Sequence, residues 1–430
     1  MSQTTFTLLV LAVMLAVFMV AWWRKLPNIL CMLLAAVAGA LAAGQGVPLR
    51  HLVEGMFMFF DLVVTILTAT IFVGVVRESG ALHGLIADLI RWFHKRPVLL
   101  LMLMMIVVMI PGGLTGSGTA AVLAVGPLVG SVLVGMGIPV VQAVSIVALG
   151  GIIGAFAPPV NIPAMAIANG INMPYAGFTV PLLVFSLVIG LGSALWLGAR
   201  YVRRDLDVQK VLASMAAEHR QISRLQVYAP FVVVFGLIVL LRTFPELVPD
   251  AGVPIIFMLG VLVTWALSPK VQVLRVSKEM LKEALPVAGI LIGVGSLVQI
   301  MALTGVRGLF VITAITLPDT WLYLFTLVGF ALAGALFGSY GSGTVLGVPL
   351  MLALLDRDPV MATVGLSLMA CYGSLTPPTA VVGFASQVAL NHREPYSTVL
   401  RRVIWPWVVA SVIGILIVIY ADKLRFLVVY

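Results

Sequence analysis

Two copies of one tetrapeptide, Gly116-Ser117-Gly118-Thr119 and Gly341-Ser342-Gly343-Thr344, set hydroxyls and unhindered backbone inside otherwise apolar stretches. The chemistry open to such segments is the binding of ions and anions. Glycine reaches conformations closed to other residues and lets a ligand approach the main chain. Serine and threonine hydroxyls ligate a cation or donate to a carboxylate. Helix N-termini turn partial positive charge toward anions, and carbonyls freed at helix C-termini suit sodium. Paired prolines follow each copy, Pro158-Pro159 and Pro377-Pro378, and these remove backbone donors and release upstream carbonyls. Asn161 on one side, and Thr376 and Thr379 on the other, add side-chain oxygen. The pattern predicts two pseudo-symmetric cation cages. One comprises Thr115, Gly116, Ser117, Gly118, Pro158 and Asn161; the other comprises Gly341, Ser342, Gly343, Thr376, Pro377 and Thr379. A substrate between them would meet Ser117, Thr119, Asn161, Ser342, Thr344 and Thr379.

The elements that position these residues lie in a bilayer. Of 430 residues, 62% are hydrophobic and 10% charged, with mean hydropathy +1.17. That balance belongs to a polytopic, all-α membrane protein. The apolar runs are continuous rather than alternating, which excludes a transmembrane β-barrel. Roughly ten to twelve segments approach the ~20 residues that a spanning helix needs. No hydrophilic stretch is long enough for a separate soluble domain, and the longest polar interval, 201–225, reads as a linker. Phe6 to Trp23 lacks a basic leader and a small-residue cleavage site, and is expected to be a first spanning helix rather than a signal peptide. Cys31 and Cys371 sit in apolar segments and offer no metal spacing.

The formal charge of +9 lies mostly in short loops. It therefore reports topology rather than nucleic-acid binding. Arg24 and Lys25, the stretch Arg77 to Arg96, Arg200 to Arg224, Lys270 to Lys282 and His392 to Arg402 are basic and expected in the cytoplasm. Asn161 to Gly177, Arg242 to Asp250 and Thr304 to Thr320 are neutral or mixed and expected outside. The alternation leaves both termini outside. Leu82, Leu85, Ile86, Leu89, Ile90 and Phe93 recur at helical spacing beside Arg91, predicting an interfacial amphipathic helix.

Gly80 and Gly116 pair with Gly305 and Gly341 at one offset of 225 (305 − 80 and 341 − 116), and Pro127 pairs with Pro349. The loop charges around the two blocks are reversed, so the repeats are expected to be inverted in the membrane. Each repeat would hold a re-entrant helical hairpin followed by a helix broken at Pro-Pro. Pro97 to Pro111 spans about 22 Å as a helix, short of a ~30 Å hydrocarbon core. The expected divisions are N-terminal helices over 1–50 and repeat 1 over 51–200, with its hairpin about 97–137 and broken helix about 139–170. After the cytoplasmic linker 201–225 come further helices over 226–283. Repeat 2 covers 284–420, with hairpin about 321–356 and broken helix about 359–390, and 421–430 is a tail.

Rival chemistries lack parts. An intramembrane serine protease needs a base beside its nucleophile, yet His51, His83, His94, His219 and His392 all fall in loops or at segment edges. Zinc chemistry has no paired His/Glu motif within a span. A passive channel differs from a carrier in showing neither saturation nor sodium dependence. Asp61 is the clearest ionisable residue inside a span, with a coupling or subunit-contact role, or a structural one, open to it. Glu54 reads as interfacial, and Arg307 sits on an outer surface segment with a functional or a structural role open to it. The hairpin tips contain no Asp, Glu or His, which favours sodium over a proton relay.

Gly112 to Ala120 with Ala157-Pro158-Pro159 and Leu375-Thr376-Pro377-Pro378, in this order and spacing, resembles the large membrane subunit of TRAP (tripartite ATP-independent periplasmic) transporters. The likeness covers about 50 to 420. The resemblance implies an elevator mechanism in which a transport domain carrying both hairpins slides against a scaffold, formed by 1–50 and 226–283. It implies secondary active symport of sodium with an organic acid, with no cofactor beyond Na+ as coupling ion. It also implies a small membrane subunit and a soluble periplasmic binding protein as partners, in a bacterial inner membrane. C4-dicarboxylates, sialic acid, keto acids and sulfonates all fit the neutral tips. A stand-alone carboxylate transporter of the same superfamily is the alternative. That family's second hairpin commonly carries an aspartate near its tip, and Gly338 to Thr344 has none.

Overall fold

The computed structural model describes residues 2–203, 208, 209, 212, 222–243, 252–377 and 379–429. Pro378, most of the expected linker 201–225 and most of the expected outer loop Arg242 to Asp250 lie outside the described residues. Among the described residues the secondary structure is entirely helical, and nine helices are long and apolar enough to cross a membrane.

The first helices are α1 (Gln3–Trp23), α2 (Asn28–Ala42), α3 (Leu49–Phe57), α4 (Phe60–Glu78) and the amphipathic α5 (Ala81–Phe93). On α5, Leu82, Ile86 and Ile90 are buried while Arg91 is exposed, as the sequence periodicity predicts. Next come α6 (Pro97–Thr115), α7 (Gly118–Gly135), α8 (Val140–Phe156), α9 (Ile162–Gly170) and α10 (Thr179–Gly198). Beyond the linker are α11 (Arg224–Thr243), α12 (Gly252–Leu267), α13 (Val273–Leu303) and α14 (Val306–Thr316). Then follow α15 (Asp319–Ser342), a π-helical turn (Gly343–Gly347), α16 (Val348–Ala353), α17 (Pro359–Cys371), a 3-10 turn (Tyr372–Leu375), α18 (Val381–Ala389) and α19 (Tyr396–Ile419).

Local chemistry sets several of these boundaries. Asp358 caps α17 by accepting from the Met361 N–H at 2.9 Å. Gly80 and Gly305 turn the chain in left-handed conformation, φ +83° and +80°, ahead of α5 and α14. These two glycines keep the 225-residue offset in the backbone itself.

The helices sort into two packed groups. α1–α4 pack with α12 and α13, with α11 against α12. α6–α10 pack with α15–α19. α13 is a single helix of 31 residues, about 46 Å long, so the boundary expected at 283/284 falls inside it. α6 is also longer than expected. It continues through Pro111 to Thr115, giving 19 residues and about 28 Å, and its length alone does not rule out a crossing.

Candidate functional site

The first break lies at the expected residues. Gly116 ends α6 in the left-handed region at φ +63°, and Ser117 is extended before α7 begins. The Ser117 hydroxyl accepts from the Ala120 N–H at 3.3 Å, and the Thr115 hydroxyl donates to the Pro111 carbonyl at 2.7 Å. Helix α8 ends at Phe156, and the Val160 N–H donates to the Gly113 carbonyl at 2.9 Å, stitching the hairpin to the broken helix. A Cβ on Gly112 would lie 2.7 Å from the Gly154 carbonyl carbon, and one on Gly113 would lie 2.7 Å from the Pro158 oxygen. Thr115, Gly116, Ser117, Gly118, Pro158 and Asn161 thus share one region, as expected. Asn161, however, is engaged in structural hydrogen bonds through both ends of its amide. Its amide donates to Phe156 O at 2.9 Å and Ser367 Oγ at 3.2 Å, while Oδ1 accepts from the Ala164 N–H at 3.0 Å.

The second break corrects the sequence expectation. The chain departs from helical geometry at Gly338, with φ +68° and ψ −174°, a conformation essentially reserved for glycine. Gly341, Ser342, Gly343 and Thr344 are helical and buried. Ser342 donates back to Ser339 O at 3.1 Å, and Thr344 to Tyr340 O and Gly341 O at 3.0 Å each. Gly343 faces Pro163 of α9 rather than Thr376, Pro377 or Thr379, so the second cage does not assemble as expected. The physical equivalents of Gly116 and Ser117 are Gly338 and Ser339, at an offset of 222 that also relates Pro127 to Pro349 and Gly112 to Gly334. Gly334 meets Gly373 as Gly112 meets Gly154, with a Cβ on either Gly334 or Gly373 only 2.5 Å from the other Cα. The Thr379 hydroxyl donates to Gly334 O at 3.2 Å. Ser339 and Ser374 share a 2.6 Å hydroxyl contact.

A cavity of about 230 Å3 lies between the two tips. One wall comes from the first tip (Ser117, Gly118, Thr119) and the second (Ser339, Tyr340), with Ser374 and the start of α18 (Val381, Val382). The opposite wall comes from α4 (Ile66, Thr70) and α13 (Glu283, Val287, Ile290). The site therefore straddles the two helix groups. Glu283 also lines a crevice with Arg77 and Thr115. The first-turn N–H groups of Gly118 and Thr119 have no intrahelical acceptor and border this space.

Of the substrate residues expected from sequence, Ser117 and Thr119 line the cavity, whereas Asn161, Ser342, Thr344 and Thr379 do not. Sequence reasoning missed Ser339, Tyr340, Ser374 and Glu283. The 222 offset of Pro127 and Pro349 pointed to Ser339, while Glu283 was hidden at the end of a basic amphipathic stretch. Asp61 is exposed in the first turn of α4, where a carboxylate complements the helix dipole, and it does not line the cavity. Glu54 is exposed and pairs with Arg50 at 2.7 Å, a hydrogen bond that holds its carboxyl below the usual range. Arg307 donates to Gly170 O at 2.9 Å, tying α14 to the end of α9. No cluster of three metal-ligating side chains occurs among the described residues.

The fold resembles two solved transporters. The YdaH transporter of Alcanivorax borkumensis matches with TM-score 0.60 and 16% identity, covering 87% of this chain and 89% of that one. Neisseria gonorrhoeae MtrF, described within a class of antimetabolite efflux pumps, matches with TM-score 0.59 and 16% identity, covering 87% of this chain and 84% of that one. No curated protein matches the chain. The model of the tripartite ATP-independent periplasmic transporter DctM component matches residues 8–424, nearly the whole length and including both tips. The chain belongs to this family of membrane transporter components.

Proposed function

We propose that the chain is the large permease subunit of a sodium-coupled secondary transporter that imports an organic acid across a bacterial inner membrane. The observation that carries this reading is the cavity between the tips. Two helix N-termini, at Gly118 and Val381, and the hydroxyls of Ser117, Thr119, Ser339 and Ser374 border one space with no lysine or arginine among its described lining residues. Partial positive ends and neutral donors suit a carboxylate without trapping it. Sodium would be held near the end of α6, by oxygens of Thr115 to Ser117 and Pro158. A second ion would sit by Gly334, Ser339, Ser374 and Thr379, replacing the Gly341 to Gly343 cage.

The elevator reading takes α1–α4 and α11–α13 as scaffold, and α6–α10 with α15–α19 as the moving body. A substrate site on the seam between the groups is where such sliding would carry a ligand. Arg77 and Glu283 border the cavity's crevice and belong to segments whose charge assigns them to the cytoplasmic side, which supports reading this arrangement as inward-facing. Family membership supports a small membrane subunit and a periplasmic binding protein as partners.

Reconstitution into liposomes, alone and with candidate partners, tests this. Saturable, sodium-driven uptake of radiolabelled organic acids with the partners present is the expected result. Uptake by the chain alone points to a stand-alone carrier. Sodium-independent flux that never saturates means a channel and defeats the proposal.

A further inference from the structure

A second pocket, outside the cavity between the tips, lies where the end of α10 meets the start of α19. It has a volume of about 250 Å3, and its lining includes Trp196 and Arg200 from one helix end with Arg401, Arg402 and Trp405 from the other. Gln142 of α8 forms its floor and donates to Tyr201 Oη at 3.2 Å. The Arg200 guanidinium stacks 4.7 Å above the Tyr201 ring, so a fixed ring orients this cation.

Three guanidinium groups around one hollow repel each other. No carboxylate lines the pocket, and none of the three arginines is ion-paired to a carboxylate among the described residues. The hollow therefore calls for an anion, and planar guanidinium forks match phosphate oxygens in pairs. The indoles narrow the choice. Trp196 and Trp405 are 69% and 65% exposed, on helices long and apolar enough to span a membrane. Indole rings in such positions settle at the headgroup level of a bilayer. The basic loops that supply the arginines are those assigned to the cytoplasm, where the leaflet is rich in anionic lipid.

We infer that this pocket binds the phosphate of an anionic phospholipid from the cytoplasmic leaflet, seated between α10 and α19. Basic residues at such a surface contribute about 1 kcal/mol each, or about fivefold in affinity per arginine.

The full chain in mild detergent is titrated with phosphatidylglycerol, phosphatidylcholine and inorganic phosphate, and retained lipid is read by native mass spectrometry. Phosphatidylglycerol is expected to bind at least about tenfold tighter than phosphatidylcholine. The double variant Arg401→Gln/Arg402→Gln is expected to lose about 25-fold. Arg200→Gln and Trp405→Leu, each made alone, are expected to lose about fivefold and keep the test alive if the double variant misfolds. Arg393→Gln, in the same basic loop but outside the pocket, should bind as the parent does. Equal retention of the two lipids, equal losses from Arg393→Gln, or displacement of phosphatidylglycerol by millimolar phosphate would each overturn the inference.

Discussion

The hydroxyl of Tyr340 donates a 3.1 Å hydrogen bond to the backbone carbonyl of Gly116. One residue thus ties the tip of the second hairpin to the break in the first, across 224 positions of sequence. The bond gives a partner to the buried carbonyl of the left-handed turn at Gly116.

Tyr340→Phe keeps the ring and deletes this bond. Leaving a buried carbonyl unpaired costs about 1–3 kcal/mol. A lower melting temperature and a severalfold lower uptake rate are expected in proteoliposomes. Unchanged values in both assays would show that the tips are held by other contacts.

The two serines of the second hairpin separate the register seen in the backbone from the one suggested by the repeated tetrapeptide. Ser339 lines the cavity, whereas Ser342 is fully buried and bonds Ser339 O. Ser117→Ala and Ser339→Ala are each expected to raise the KM for substrate or sodium about tenfold. Ser342→Ala should leave both within about twofold. The reverse ranking would restore the cage at 341–343.

Glu283 is the carboxylate on the cavity wall. A negative charge beside an anionic substrate opposes binding, by about 1 kcal/mol at separations typical of a solvated site. Glu283→Gln is therefore expected to lower the substrate KM about fivefold. A rise in KM would mean instead that Glu283 holds sodium or a cationic group on the substrate.

Asn161 tests position against ligation. Asn161→Ala strips a cap from α9 and removes the amide that donates to Phe156 O and Ser367 Oγ, at a cost of about 1–3 kcal/mol. Thermal stability should fall while the KM of the folded fraction stays within about twofold. A KM change without a stability change would return Asn161 to the binding site.

Much of the fold was legible because membrane helices announce themselves by apolar length, and because Gly80 and Gly305 mark matching turns. The first tip was legible for a local reason: Gly116 and Ser117 provide both the turn and the cap. The second tip misled because Gly-Ser occurs twice within five residues, at 338–339 and 341–342. A π-helical turn keeps the later copy helical, which no periodicity reveals. Pro111 likewise suggested a helix end that packing overrode. Ser374 and Glu283 reach the cavity only through helix packing, so nothing near them in the chain singles them out.

The glycine pairs Gly112/Gly154 and Gly334/Gly373 bring main chain against main chain, leaving no side chain that could rearrange to open either joint. Each hairpin is therefore welded to its broken helix. Under the proposed elevator reading, a stroke that exposes the cavity to the other face of the bilayer would slip along the surfaces of α4 and α13, where the interface is made of side chains that can re-pack. On that reading, the two close joints favour displacement of the tips as a body over flapping of either tip alone.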